Sequence, residues 1–88
     1  MIDSLAWVYF RRGELEPAWE HIQRAVDLAG QKGTIDPAML EHMGDIANAR
    51  GDTVQAQTNW RRALELFLKY DFKDEAARVR AKLEKMPQ

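Results

Sequence analysis

Apolar residues recur along this chain three or four positions apart, and no run of alternating apolar and polar residues marks a strand. The spacing predicts five helices. The first covers about Ile2 to Arg12, turns Leu5, Ala6, Val8 and Tyr9 inward, and stops at Gly13, whose left-handed conformation suits a helix end. The second begins near Glu16 with Pro17 in its first turn, places Ala18, Ile22, Ala25 and Ala29 inside, and ends at Gly30. Gln31 to Asp36 reads as a loop. Asp36 and Pro37 read as the N-cap and first residue of a third helix, which runs to Arg50, buries Leu40, Met43, Gly44 and Ala47, and stops at Gly51. Asp52 and Gln55 have capping-box spacing at the head of a fourth helix, whose inner stripe is Ala56, Trp60, Ala63, Phe67 and Tyr70. Asp71 then offers a cap for a last helix over Lys73 to Met86, with Ala76, Val79, Leu83 and Met86 inside and Pro87 at its end.

The same pattern occurs twice. Shifted by 38 positions, Gly13 falls on Gly51, Ala18 on Ala56, Ala25 on Ala63 and Leu28 on Leu66, while Leu5, Val8 and Ile22 fall on Met43, Ile46 and Trp60. A unit of this length cannot bury its own apolar face, so it must stack on a neighbour. Small residues at Ala6 or Gly44 on one helix and Ala18 or Ala56 on the next let two backbones approach, and the larger Tyr9, Ile22 and Trp60 fill the space beside them.

Composition narrows the function. With 88 residues and 45% hydrophobic content there is one small core and no second domain. A net charge of −1 gives no broad electrostatic reason to bind nucleic acid or an anionic lipid surface. The absence of cysteine excludes disulfides and thiolate metal sites. No apolar run is long enough to span a bilayer, and Met1-Ile2-Asp3-Ser4 lacks the basic start of a secretory signal, so a soluble chain of unknown compartment is expected.

The residues Leu5-Ala6, Tyr9, Gly13, Ala18, Ile22, Ala25, and again Met43-Gly44, Ala47, Gly51, Ala56, Trp60, Ala63, resemble the tetratricopeptide repeat (TPR) over about three-quarters of the chain. Ala6 replaces a glycine of that pattern, Ala47 replaces an aromatic, and the repeat exceeds the usual ~34 residues, the surplus being assigned to the Gln31 to Asp36 loop. The resemblance implies an all-α superhelix of TPR-like helical hairpins, with repeat 1 at about 1–35, repeat 2 at about 36–70 and a capping helix at about 72–86. The outer face of that cap would be Lys73, Asp74, Glu75, Arg78, Lys82 and Lys85. Helix three starts at Pro37, so the matched start of helix one falls before Met1; with only two repeats, this points to the C-terminal fragment of a longer array or to a chain completed by a partner.

In the TPR family the first helix of each pair lines a concave face. The resemblance places Asp3, Trp7, Phe10 and Arg11 there from helix one, and Glu41, Asp45, Asn48 and Ala49 from helix three. Trp7 and Phe10 are either a peptide anchor or packing for a neighbouring repeat. Asp3 and Asp45 stand where the family's carboxylate clamp needs lysine and asparagine, so a terminal carboxylate is not the expected ligand. Glu41 and Asp45 are either a site for a positively charged ligand or a solvated acidic face. His21 and His42 lie on different helices, and a metal site would need Asp45 or Glu41 to join His42, so no metal or cofactor is expected. Ser4 is the single serine, and no phosphate loop follows a strand, so catalysis is not expected.

Three functions remain open. The first is a non-catalytic interaction module that holds a protein or peptide through Trp7, Phe10, Arg11, Glu41, Asp45 and Asn48. The second is a self-association element, a homo-oligomer formed through the open first helix. The third is a helical appendage to an upstream enzyme.

Overall fold

The computed structural model describes residues 4–86. Five helices, α1 (Ser4–Arg11), α2 (Leu15–Lys32), α3 (Pro37–Ala49), α4 (Thr53–Lys69) and α5 (Lys73–Glu84), pack mainly on their neighbours in sequence as an all-α superhelical stack of 33 × 30 × 19 Å. The expected helix start at Ile2, the surface position of Asp3 and the stop at Pro87 lie outside the described residues. No described helix is long and apolar enough to cross a membrane.

The first four helices end alike. Each closes on a residue of positive φ: Gly13 at 78°, Gly33 at 70°, Gly51 at 81° and Asp71 at 64°. The N–H of the following residue then donates to a carbonyl five positions back, Glu14 to Tyr9, Thr34 to Ala29, Asp52 to Ala47 and Phe72 to Phe67, at 2.9, 2.8, 2.9 and 2.7 Å. These bonds use carbonyls that the helix itself leaves unpaired. Because Gly13 matches Gly51 and Gly33 matches Asp71 in the 38-residue register, the sequence repeat is also a repeat of backbone geometry.

Several local expectations change. Helix α2 does not stop at Gly30 but continues to Lys32, where Gly33 closes it, and Ile35 packs 3.6 Å from where a Cβ on Gly30 would sit. The stretch from Gln31 to Asp36, expected as a loop, is therefore helical in its first two residues. Asp71 does not cap α5: it closes α4, and Phe72 occupies the N-cap position with no side-chain bond. Asp36 does cap α3, accepting from the Ala38 N–H at 2.9 Å. Asp52 likewise accepts from the Gln55 N–H at 3.1 Å, but its own N–H is engaged by Ala47, so the return half of the capping box does not form.

The core is built where the repeat predicts. Ala18, Ile22, Leu40, Ile46, Ala47, Ala56 and Ala63 are at most 1% exposed, with Trp60, Phe67, Ala76 and Val79 around them. Leu5 and Val8, expected inside, are half exposed, whereas their matches Met43 and Ile46 are buried. Helix α3 has α2 and α4 on its two flanks; α1 packs mainly on α2 alone. Tyr70, expected on the inner stripe of α4, is half exposed because the helix ends there and the chain turns away.

Candidate functional site

The first helices of successive pairs, α1 and α3, and the closing helix α5 present the residues singled out from the sequence. Trp7 is half-buried. Its ring stacks on the His42 imidazole of α3, with centroids 4.2 Å apart and planes 18° apart, and lies 5.0 Å from the Phe10 ring. On the other flank of α1, Tyr9 stacks on His21 of α2 at 5.3 Å and 19°. Two aromatic–histidine pairs thus fix the rotation of α1 against α2 and α3. Phe10 packs against the core without being buried in it, and Arg11 is exposed.

Glu41 and Asp45 are not an open acidic face. Glu41 is 3% exposed, and Arg78 of α5 forks onto its carboxylate at 2.8 and 2.6 Å. Lys82, one turn further along α5, donates to Glu41 and to Asp45, both at 2.8 Å. A carboxylate this far from water must be paired or give up its charge, and α5 supplies both partners. Arg78 and Lys82, expected on the outer face of the cap, are therefore the residues that dock it. The Trp60 indole N–H joins the cluster, donating to the Glu41 carbonyl at 3.2 Å and to Asp45 Oδ1 at 3.1 Å.

Electrostatics follow from this packing. Burial pushes the Glu41 carboxyl up, but the hydrogen bonds and charges of Arg78 and Lys82 outweigh it and hold it below the ordinary carboxylate range. Burial pushes Lys82 down, and its bonds to Asp45 and Glu41 more than reverse that. His42 goes the other way: burial holds its imidazole below the ordinary value, against the attraction of Asp45 and Glu41. Its Nδ1 is buried without a hydrogen-bond partner, in keeping with a neutral ring.

Asn48 and Ala49 are exposed at the end of α3. Asn48 borders a shallow cleft of about 250 Å³ with Trp60, Lys82, Lys85 and Met86. The structure thus joins Trp7 and Phe10 to α3 through His42, joins Glu41 and Asp45 to α5, and leaves Arg11 and Asn48 facing solvent. Among the described residues, no group of three or more histidine, aspartate or glutamate side chains gathers to hold a metal.

Arg78 and Lys82 are the partners of Glu41 and Asp45 that sequence reasoning missed, although a signal existed. Glu41 and Asp45 are four apart on α3, and Arg78 and Lys82 are four apart on α5, the complementary spacing of two charged pairs on parallel helices. No known protein family, curated protein or solved structure matches this chain.

Proposed function

We propose that this chain is a tetratricopeptide-type interaction module that binds a peptide or protein surface on the face built by α1 and α3, without catalysis. One observation carries the reading: the Trp7 and Phe10 rings are half-buried, in contact, and held by the His42 stack. Aromatic side chains already ordered in this way can cover a ligand with little further loss of freedom. Exposed Arg11, one turn on from Trp7, and Asn48, at the end of α3, add hydrogen-bonding groups to the face. Glu41 and Asp45 support the face from behind, by anchoring α5 and orienting α3, rather than as free charges. The 38-residue repeat of helix ends and the small residues Ala18, Ala56 and Ala63 in the core support the family assignment.

Selection from a random peptide library against the intact protein tests this. Peptides recovered on the wild type should lose most of their binding to Trp7→Ala and Arg11→Glu, with thermal unfolding checked in parallel. Recovered peptides that bind both variants as well as the wild type would refute the assignment of the face.

Exposure on α1 favours a second reading. Leu5 and Val8 are 47% and 49% exposed where the matching Met43 and Ile46 of α3 are 9% and 0% exposed, which is the surface a self-pairing first helix would use. Sedimentation over a concentration series decides it: a monomer throughout rejects self-association, and a dimer abolished by Val8→Lys supports it.

A further inference from the structure

The turns after α2 and α4 share one backbone design and differ in what they present. Around the left-handed Gly33 the first turn has Ala29, Gly30, Lys32 and Thr34; around Asp71 the matching positions are Phe67, Leu68, Tyr70 and Phe72. Small or polar side chains serve at one turn where large apolar ones stand at the other, so this backbone does not itself require the apolar mass. Part of that mass is structural. Phe67 is buried and Phe72 meets it edge-on at 6.2 Å, the apolar contact that often accompanies such a helix end. The remainder faces solvent: Leu68, Tyr70 and Phe72 are 49%, 50% and 47% exposed.

Beside Phe72 lies a groove of about 460 Å³, within the range of sites that hold small ligands. Pro37 and Ala38 from the head of α3, with Phe67 and Phe72, make its apolar lining, and Asp36, Glu75 and Arg78 are its charged groups. Arg78 is already forked onto Glu41. Asp36 accepts the Ala38 N–H. The groove therefore offers a ligand an apolar floor and two carboxylates, Asp36 and Glu75; its one cation, Arg78, is held by Glu41 and attracted as well to Glu75, so the lining keeps an excess of negative charge.

We infer that this groove is a docking site for a peptide segment carrying an aromatic side chain flanked by lysine or arginine. The ring covers Phe72 and enters between Ala38 and Phe67, and the flanking cations meet Glu75 and Asp36. The site uses none of Trp7, Phe10, Arg11 or Asn48, so it stands or falls apart from the face proposed above.

Titration of the isotope-labelled intact protein with acetyl-Lys-Phe-Lys-amide, followed by amide NMR shifts, tests the inference. Saturable shifts at Ala38, Phe72 and Glu75 are expected, with a dissociation constant in the millimolar range. Acetyl-Lys-Ala-Lys-amide, which lacks the ring, should bind roughly tenfold more weakly. Acetyl-Glu-Phe-Glu-amide, with the flanking charge reversed, should bind at least about threefold more weakly. Phe72→Thr installs the residue of the matching turn, so the backbone accepts it, and it should cost roughly tenfold in affinity. Glu75→Gln should cost about threefold, and Trp7→Ala nothing. Absence of saturable shifts, equal affinity for the three peptides, or unchanged affinity in folded Phe72→Thr or Glu75→Gln protein would overturn the inference. Movement of the same signals on dilution of the free protein would assign the groove to a second copy of the chain, and would overturn it as well.

Discussion

The indole of Trp60 occupies the space that a Cβ on Gly44 would need, so α3 and α4 reach their observed contact only because residue 44 has no side chain. In the matching positions of the first pair stand Ala6 and Ile22, a larger residue facing a smaller one. Gly44→Ala should improve helix propensity by about 1 kcal/mol, yet the collision with a buried ring in a close-packed core should outweigh that gain and destabilise the protein by about 1–3 kcal/mol net. Adding Trp60→Ile, which restores the size pairing of the first repeat, should make the double variant more stable than the sum of the two single changes implies. Urea denaturation of the four proteins measures the coupling; strict additivity would mean that the contact does not constrain residue 44.

Helix α5 brings few apolar residues to the stack, chiefly Ala76, Val79 and part of Leu83, and is tied down by its cations. Arg78→Leu with Lys82→Met leaves the Glu41 carboxylate buried and unpaired. The expected loss is about 2–3 kcal/mol, towards the low end for a broken buried pair because Arg78 itself is more than half exposed. Adding Glu41→Met should recover part of it, since removing the whole charge set avoids stranding one member. Hydrogen exchange should show α5 amides losing protection first. Equal protection in wild type and the double variant would show that apolar contacts alone hold the helix.

Stability should fall on acidification in two stages. His42 titrates below its ordinary value in the folded chain, so the unfolded chain binds the proton first; stability is intact above the ordinary value of about 6.5 and declines as pH drops below it. Glu41 is likewise held low, so its contribution is present above about 4.3 and is lost as pH falls through its folded value. Lys82 is held high, and its contribution, complete below about 10.4, disappears as pH rises through its raised folded value. His42→Phe keeps a ring against Trp7 without a titrating nitrogen. Thermal melts at a series of pH values should show the first acid stage removed in that variant and the second retained.

Asp71 stands at the one left-handed helix end without glycine among the four described. Its contact with Lys73, at 3.9 Å between two well-exposed side chains, offers little in return. Asp71→Gly should therefore raise stability by about 0.5–1 kcal/mol, or roughly 4 °C in melting temperature for a domain of this size. Asp71→Val, β-branched at the same φ, should lower it. A melt in which the valine variant matches the wild type would show that the turn adopts another conformation in solution.

What the chain alone determined is mostly what is decided within a few residues. Asp36 and Asp52 reach N–H groups two and three positions ahead, Gly13 and Gly51 end helices by local backbone geometry, and the stripes Ala18–Ile22 and Ala56–Trp60–Ala63 follow from helical period. Even there, local signals compete: Gly30 and Gly33 are both plausible stops, and the choice went to the one whose closing bonds return to Ala29 and Gly30 while Ile35 packs over the other. Only the tertiary structure decided which charges meet. Glu41 and Arg78 lie 37 positions apart, and their pairing depends on how far the turn through Asp71 and Phe72 swings α5 over α3. Exposure of Leu5 and Val8, the Trp7 stack on His42 and the groove beside Phe72 were settled in the same way. Hydrophobic period says that a helix has an inner face; burial of each residue on that face depends on which neighbours arrive to cover it, a property of the assembled stack rather than of any one segment.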